Sequence, residues 1–563
     1  MPTSQVEEAL QLASSYNMSV PLMQTLLTRG YRTPASIDSF LFSTFEKDVA
    51  HPSLFKDAQK AVDRILSALE NGEKILIAGD YDVDGITSSA LMMICLMPLG
   101  ADINFFLPHR VHDGYGLSVK TVKRAAENGY KLIVTVDNGI TAFAAADEAK
   151  KCGIDLIITD HHRPHEHLPD AYAIIDPLQV GCAYPYKKFA GVGVIFKIMT
   201  LLYEKRGLLL PSKAYELLLL GTVADVVPLT GENRFWVRQG LHHVNHEESY
   251  SLKVLKQNSK VTKPKLSASD IGFSITPQIN ALGRLEDPRQ GVRFLIGSDV
   301  KEVDTVGRVL WELNQARKEI ERSIFDEVAA QINLKHINLE EEYSIVAASY
   351  HWPPGVIGLV ASRLVGAYGR PAILLHIGKD GIAKGSCRSI AQFNMFDALQ
   401  KMNTLLRTFG GHSVAAGLSL HADDIPAFKA QLELMLKEQL TPFDLKPKII
   451  IDAEMKLIDV TKKCIEDSMY LEPFGNENPQ PLFYLKNVML ISPPLLLKDL
   501  HVKCKIFADG VIKPVVFFNR PDLFTTLTQN IEQPCDMAVQ ISENHWNDKV
   551  SIELIGLDVS FEA

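Results

Sequence analysis

The sequence is poor in the features that would cross-link a chain, bury it in lipid or hold nucleic acid by bulk charge. Its seven cysteines, at positions 95, 152, 182, 387, 464, 504 and 535, are scattered and include no C-x-x-C pair. That argues against a disulfide framework and a cysteine zinc site, and for a reducing compartment. The most apolar stretch, residues 86–99, is interrupted by serines and too short to span a bilayer. The start, MPTSQVEEALQLASSYN, has no basic segment leading into an apolar run, so no signal peptide is visible and a soluble, cytoplasmic protein is expected. Positive charge is not in excess either: 58 Lys and Arg against 67 Asp and Glu leave −9. A net acidic chain is not an obvious nucleic-acid binder, yet phosphate contact needs only a locally basic groove. Some of the surplus carboxylates can be metal ligands, whose charge a bound cation reverses locally.

What is present is an ordinary globular mixture, 46% hydrophobic and 22% charged, with no repeat or low-complexity tract. Its 563 residues suffice for about three to four domains. Residues 1–50 read as a segment of short helices. Within 51–298, the apolar runs 74–78 (KILIA), 131–136 (KLIVTV), 155–159 (DLIIT) and 171–175 (AYAII) alternate with helical stretches. Short, continuous and rich in Ile and Val, they read as strands buried on both faces of a doubly wound parallel sheet. Apolar residues at helical spacing through 299–334 predict a connecting helix. Residues 335–441 read as a smaller α/β domain, with strands at 344–348 and 371–377. Strand-rich 442–563 suits a small β-barrel, OB-like or of another small-barrel type.

The sheet's chemistry sits where its strands stop. The first ends in Gly79-Asp80-Tyr81-Asp82-Val83-Asp84-Gly85, the second in Asp137-Asn138-Gly139, the third in Asp160-His161-His162 and the fourth in Asp176-Pro177. A helix-like run then leads into Gly221-Thr222-Val223-Ala224-Asp225. If the backbone stays extended, Asp80, Asp82 and Asp84 project to one side. A lone Asp at a strand end is ordinarily a cap or turn former; acidic ends on successive strands are a different matter. Gathered in the crevice at the carboxyl ends of a parallel sheet, such carboxylates repel one another unless cations neutralise them. Oxygen-rich ligation with one or two imidazoles favours two divalent ions, Mn²⁺ or Mg²⁺.

GDYDVDG, VTVDNG, TDHH and GTVADVVPL resemble the four ordered motifs of the DHH phosphoesterase superfamily. PHRVHDGYGLS, INALGRL, GVIGLVASRL, GSCRSI, GGHSVAAG and LEPFGNENPQPLF narrow the likeness to its RecJ branch, the bacterial single-strand-specific exonucleases. The resemblance implies a DHH-type catalytic domain, a DHHA1-type substrate-binding domain and a nucleic-acid-binding OB domain. It places the metal ligands on Asp80, Asp82, Asp84, Asp137, His161 and Asp225. Asp160 and His162 complete the triplet as the catalytic pair, with His162 beside the leaving group. Many relatives acting on small substrates carry a histidine four residues before the first aspartate of their D-x-D; here that position is Ala78.

In the second domain, GGHSVAAG combines flexible glycines with His412. By itself it reads as a tight turn before a helix, whose N-terminal amides can bind an anion, and similarity to the DHHA1 domain implies a phosphate-binding role for His412. Ser386 and Arg388, two apart in GSCRSI, would share one side of a strand and join Arg110 around a terminal phosphate. Asn280 and Arg284 match the family's N-x-x-x-R element and imply DNA contacts. The implied activity is a two-metal 5′→3′ exonuclease on single-stranded DNA. It would release 5′-mononucleotides in repair and recombination, as a monomer served by a helicase and a single-strand-binding protein, with no membrane role. A phosphodiesterase of oligoribonucleotides or cyclic dinucleotides shares the motifs, but a small substrate needs no extra barrel. An inactive replication scaffold of the same fold would have lost metal ligands, whereas every motif carboxylate is present.

Overall fold

The computed structural model describes residues 3–109, 113–297, 299–546 and 549–561. Its first sheet comprises β1 (Lys74–Ala78), β2 (Ile103–Phe106), β3 (Tyr130–Val136), β4 (Asp155–Thr159) and β5 (Ala173–Ile175). All are parallel, in the order β2-β1-β3-β4-β5. Alternation along β1 sends Ile75 and Ile77 into one core and Leu76 and Ala78 into another, which is why its sequence is apolar throughout. Four of these strands follow the apolar runs. The edge strand β2 (INFF), half-exposed, has no continuous apolar signal and was not expected. Strand order reverses between β1 and β3, and at such a switch point the helices on either side diverge and leave a crevice above the strand ends.

A helix of 34 residues, Val300–Asn333, joins this domain to the second, as the spacing predicts. The second sheet holds β6 (Ile345–Ser349), β7 (Ala372–Ile377), β8 (Ile382–Arg388), β9 (Thr408–Gly411) and β10 (Ala415–His421). Their order is β6-β7-β8-β10-β9, with β6–β7 parallel and the other pairs antiparallel. Segment 410–417 therefore spans the tip of the β9–β10 hairpin, with residues 412–414 as its turn. The turn leads into strand β10, which corrects the expected helix N-terminus beside His412.

The last unit contains β11 (Ala453–Glu454), β12 (Phe483–Leu490), β13 (Leu495–Leu497), β14 (His501–Ala508), β15 (Val511–Phe517), β16 (Pro534–Trp546) and β17 (Lys549–Phe561). Pairing runs β12-β16-β17-β15-β14 and closes through β14–β12, a five-stranded barrel with β15 and β17 parallel. That is the OB arrangement. Helices Val20–Thr28 and Pro34–Phe42 bury Leu22, Leu26, Ile37 and Phe40 in the same core as barrel residues Leu485, Val502 and Phe517. Among the described residues no helix is long and apolar enough to cross a membrane.

Candidate metal centre

After β1 the chain turns through Gly79, Asp80 and Tyr81, and Asp82 caps the helix Val83–Leu96, accepting from the Gly85 amide at 3.2 Å. Asp84 lies in that helix's first turn. The three aspartates are thus not alternate residues of an extended strand; a turn and a helix start bring them to the crevice. Both Asp84 oxygens accept backbone bonds, from Gly191 at 2.6 Å and Val192 at 2.8 Å. The carboxylate therefore sits at the positive end of the helix Gly191–Lys205. Gly191 makes this approach feasible: a Cβ there would lie 2.6 Å from Asp137 Cβ.

Asp137 follows β3 in the left-handed region, φ 61°, a conformation Asp tolerates better than most residues. Its neighbour Asn138 holds it there. The Asn138 amide nitrogen donates to the carbonyls of Ala78 and Val136, both at 2.9 Å, and its oxygen accepts from Leu117 N at 3.2 Å. This ties the ends of β1 and β3 together on either side of the crevice. Asp160, fully buried after β4, accepts from the backbone amides of His161, His162 and Ile140 and from His162 Nδ1 at 2.7 Å. Three of these bonds fall on Oδ1 and one on Oδ2, and together they fix the His161–His162 backbone and orient the His162 ring. Tyr115 reaches over the same pair, its hydroxyl 3.3 Å from the Asp137 carbonyl and 3.4 Å from His162 Nδ1.

The ligand atoms gather in three overlapping groups: Asp80, Asp82 and Asp137; Asp84, His161 and Asp225; and Asp137, His161 and His162. In each, one atom per residue lies within 4.8 Å of the others. His161 Nε2 is 3.0 Å from Asp137 Oδ1, 3.7 Å from Asp225 and 3.8 Å from Asp84. Although buried, neither His161 Nε2 nor Asp137 Oδ1 takes part in a hydrogen bond among the described residues. Two buried lone-pair atoms facing each other without a shared proton are what an intervening cation requires.

Electrostatics point the same way. Burial, then the neighbouring Asp82, pushes Asp84 up to about 7. Burial, then Asp84, pushes Asp137 and Asp225 well above the ordinary carboxylate range. Burial lowers His161 to about 4, keeping the imidazole neutral as ligation demands, and the Phe189 backbone hydrogen-bonds the ring. Burial also opposes a charge on His162, but the bond to Asp160 outweighs it and raises this group to about 9. Burial would raise Asp160, and the His162 bond and charge overcome that to leave it lowered. The residues present fit divalent cations.

The other expected site residues are more dispersed. Arg110 lies outside the described residues. Ser386 and Arg388 do share one side of β8, with buried Cys387 between them, and both face Gly358, whose added Cβ would lie 3.2 Å from Ser386 Oγ and from Arg388 Nη2. Arg388 also donates to Ser362 Oγ at 3.0 Å and to the Cys387 carbonyl at 2.8 Å. Asn280 and Arg284 lie on the helix Thr276–Leu285, which links the two domains. Gly283 there packs on the Tyr81 carbonyl, and Arg284 Nη1 donates to the Gly355 carbonyl at 2.9 Å. His412 is exposed at the hairpin tip. In the barrel, Phe517 is core, whereas Phe518 is half-exposed beside His501. The sequence reading overlooked Asn138, Tyr115 and the Gly191 helix start. Asn138 lay inside a quoted motif; Gly191 had no local signal.

Family models match along the chain: the DHH family N-terminal domain at residues 74–222, the DHHA1 domain at 342–438 and the RecJ OB domain at 451–558. Fold and site together define a DHH–DHHA1 protein with an appended OB barrel. The single-stranded-DNA-specific exonuclease RecJ of Bacillus subtilis is 36% identical over 543 residues, covering 96% of this chain and 68% of that protein. RecJ of Escherichia coli is 38% identical over 444 residues, covering 76% and 77%. The crystal structure of Thermus thermophilus RecJ in complex with Mn²⁺ superposes with a TM-score of 0.84 at 28% identity, covering 100% of this chain and 78% of that one. Another exonuclease RecJ structure, bound to manganese, gives 0.60 at 33% identity over 69% and 98%. The chain belongs to the RecJ family.

Proposed function

We propose that this chain is a metal-dependent exonuclease that degrades single-stranded DNA from its 5′ end to 5′-mononucleotides. The observation that carries this reading is the pair of ligand groups at the switch point, Asp80–Asp82–Asp137 and Asp84–His161–Asp225, meeting at the 3.0 Å approach of Asp137 and His161. Divalent ions held there, Mn²⁺ or Mg²⁺, supply Lewis-acid polarisation of a phosphate and a water of lowered pKa. The chain's own groups do the rest. With Nδ1 held by Asp160, the outer nitrogen of His162 carries its proton toward the crevice, where it neutralises the departing 3′-oxygen. Breaking the bond from phosphorus to that oxygen releases one 5′-mononucleotide and leaves a new 5′-phosphate on the strand. In this reading Ser386 and Arg388 receive that phosphate with Arg110, so each cut prepares the next.

Residues 51–298 then carry the metals, 335–441 the terminal phosphate and 442–563 the strand beyond, with 299–334 as spacer and 1–50 as a helical lead. Asn280, Arg284 and His412 provide further strand contacts. A cytoplasmic monomer supplied with single strands by a helicase and a single-strand-binding protein fits this activity. The test is degradation of 5′-labelled single-stranded DNA, duplex DNA and short RNA, with and without Mn²⁺, by wild type and Asp137→Ala. Labelled mononucleotide should appear only from the single strand and only with metal. Asp137→Ala should abolish cleavage and leave strand affinity within a few-fold. Progressive shortening of the strand with its 5′ label retained, preferred cleavage of RNA, or normal turnover by Asp137→Ala would each reject the reading.

A further inference from the structure

Asp225 ends the helix Lys213–Ala224, and the residue after it, Val226, has φ 58°. A β-branched side chain in the left-handed region is a genuine outlier, held only where surroundings over-determine it. The Val226 N–H donates to the Val223 carbonyl at 3.3 Å, and the Val226 carbonyl is held from the terminal domain. Asn476 Nδ2 donates to the Val226 carbonyl at 2.7 Å, and the Asn476 carbonyl accepts from Leu229 N at 2.8 Å. Gly475 lies so close to Leu229 that an added Cβ would be 2.6 Å from Leu229 Cδ1. Glu477 pairs with Lys188 at 2.7 Å, three residues before Gly191. Asn233 ties those two segments together, donating to the carbonyls of Lys188 at 2.6 Å and Pro228 at 3.0 Å.

The turn itself is firmly seated. Asn478, buried, donates to the carbonyls of Leu471 and Pro473 and accepts from Arg29 at 2.8 Å, while Arg29 makes a two-pronged pair with Asp452. Gly475 and Asn478 close the turn by reciprocal backbone bonds of 2.8 and 3.1 Å. Four consecutive residues thus have four distinct tasks: Gly475 allows close approach, Asn476 grips, Glu477 forms the ion pair and Asn478 anchors.

We propose that this Gly475–Asn478 turn is a clasp on the metal centre, with Asn476 a positioning residue that holds Asp225 in ligating geometry through the Val226 carbonyl. The proposal rests on the reading of Asp225 as a metal ligand. Asn476 touches neither metal nor substrate, so its loss should alter metal affinity before strand affinity.

The experiment is an Mn²⁺ titration of the full chain by electron paramagnetic resonance of the free ion, in wild type, Asn476→Ala, Asn476→Asp and Asp225→Asn. Losing one hydrogen bond should weaken the affected Mn²⁺ site about fivefold to tenfold in Asn476→Ala. Asn476→Asp, which keeps size and replaces the donor by an acceptor facing a carbonyl, should weaken it at least as much. Strand degradation should show a lowered kcat at limiting Mn²⁺, recovered at excess Mn²⁺, with KM for the strand and melting temperature unchanged. Wild-type Mn²⁺ titrations in both Asn476 variants, with Asp225→Asn impaired, would overturn the clasp alone. An unimpaired Asp225→Asn would overturn the ligand assignment beneath it.

Discussion

Asp160 and Arg388 differ in how completely the fold occupies their polar atoms. Asp160 accepts four hydrogen bonds, three on Oδ1 and one on Oδ2, all from the chain's own backbone and His162. Arg388 has two of its nitrogens engaged, by Ser362 Oγ and the Cys387 carbonyl, and turns Nη2 toward Gly358 and Ser386. A guanidinium fixed by two bonds, with its third nitrogen beside the Ser386 hydroxyl, is a preorganised donor suited to a phosphate. Arg388→Ala should therefore slow degradation of 5′-phosphorylated strands by about one to two orders of magnitude, since a charge-assisted hydrogen bond contributes about 1.5–3 kcal/mol and a decade of rate about 1.4. Strands ending in a 5′-hydroxyl should lose much less. Comparing kcat/KM for both ends decides it: equal losses would make Arg388 a brace between β8 and the helix Pro354–Tyr368.

At the scale of elements, the centre is a meeting of one strand switch and three helix ends. The helix Val83–Leu96 starts at Asp82, the helix Gly191–Lys205 starts on Asp84, and the helix Lys213–Ala224 stops at Asp225. Their approach depends on residues without side chains. Gly191→Ala would place a methyl 2.6 Å from Asp137 Cβ and 2.9 Å from its Cα, both parts of a rigid strand end. The helix would have to withdraw and take its two amide bonds off Asp84. A stability loss of about 1–3 kcal/mol, the usual cost of overpacking, should accompany weaker Mn²⁺ binding. Thermal melting with a parallel Mn²⁺ titration checks this, and an unchanged titration would show that Asp84 keeps its place without that helix. The aspartate spacing was legible in sequence, but its geometric meaning was not: an extended D-x-D-x-D and a turn running into a helix are written with the same letters.

For the whole molecule, composition alone presents the barrel as a module that could be removed with only strand binding lost. The structure joins it to the rest. Leu22, Leu26, Ile37 and Phe40 share its core. Arg234 of the catalytic domain, fully buried with its guanidinium over the Phe40 ring, donates to the carbonyls of Phe40, Tyr470 and Leu471, and burial pulls it down to about 9. Deleting residues 448–563 would expose that core, strand a buried charge and release Asn476 from the Asp225 loop. The shortened chain should aggregate, or lose Mn²⁺ binding together with strand affinity, in light scattering and metal titration. A monodisperse fragment that binds Mn²⁺ as tightly as the full chain would show that the metal domain stands alone.

The succession of buried strands along the chain, the acidic and imidazole residues at their ends, the long connecting helix and the strand-rich last domain were all determined locally. Each depends on hydrophobic periodicity or residue chemistry within a dozen neighbours. The edge strand β2, the hairpin in place of a helix at His412, the Asn138 tie between strand ends, the glycines that admit a neighbouring helix and the Asn476 grip on Val226 were decided only in three dimensions. These features have a common cause. A half-exposed strand, a bare Cα or an amide side chain carries no meaning until something distant in sequence packs against it, and those partners lie 60 residues away for Asn138 and Ala78, and 250 for Asn476 and Val226.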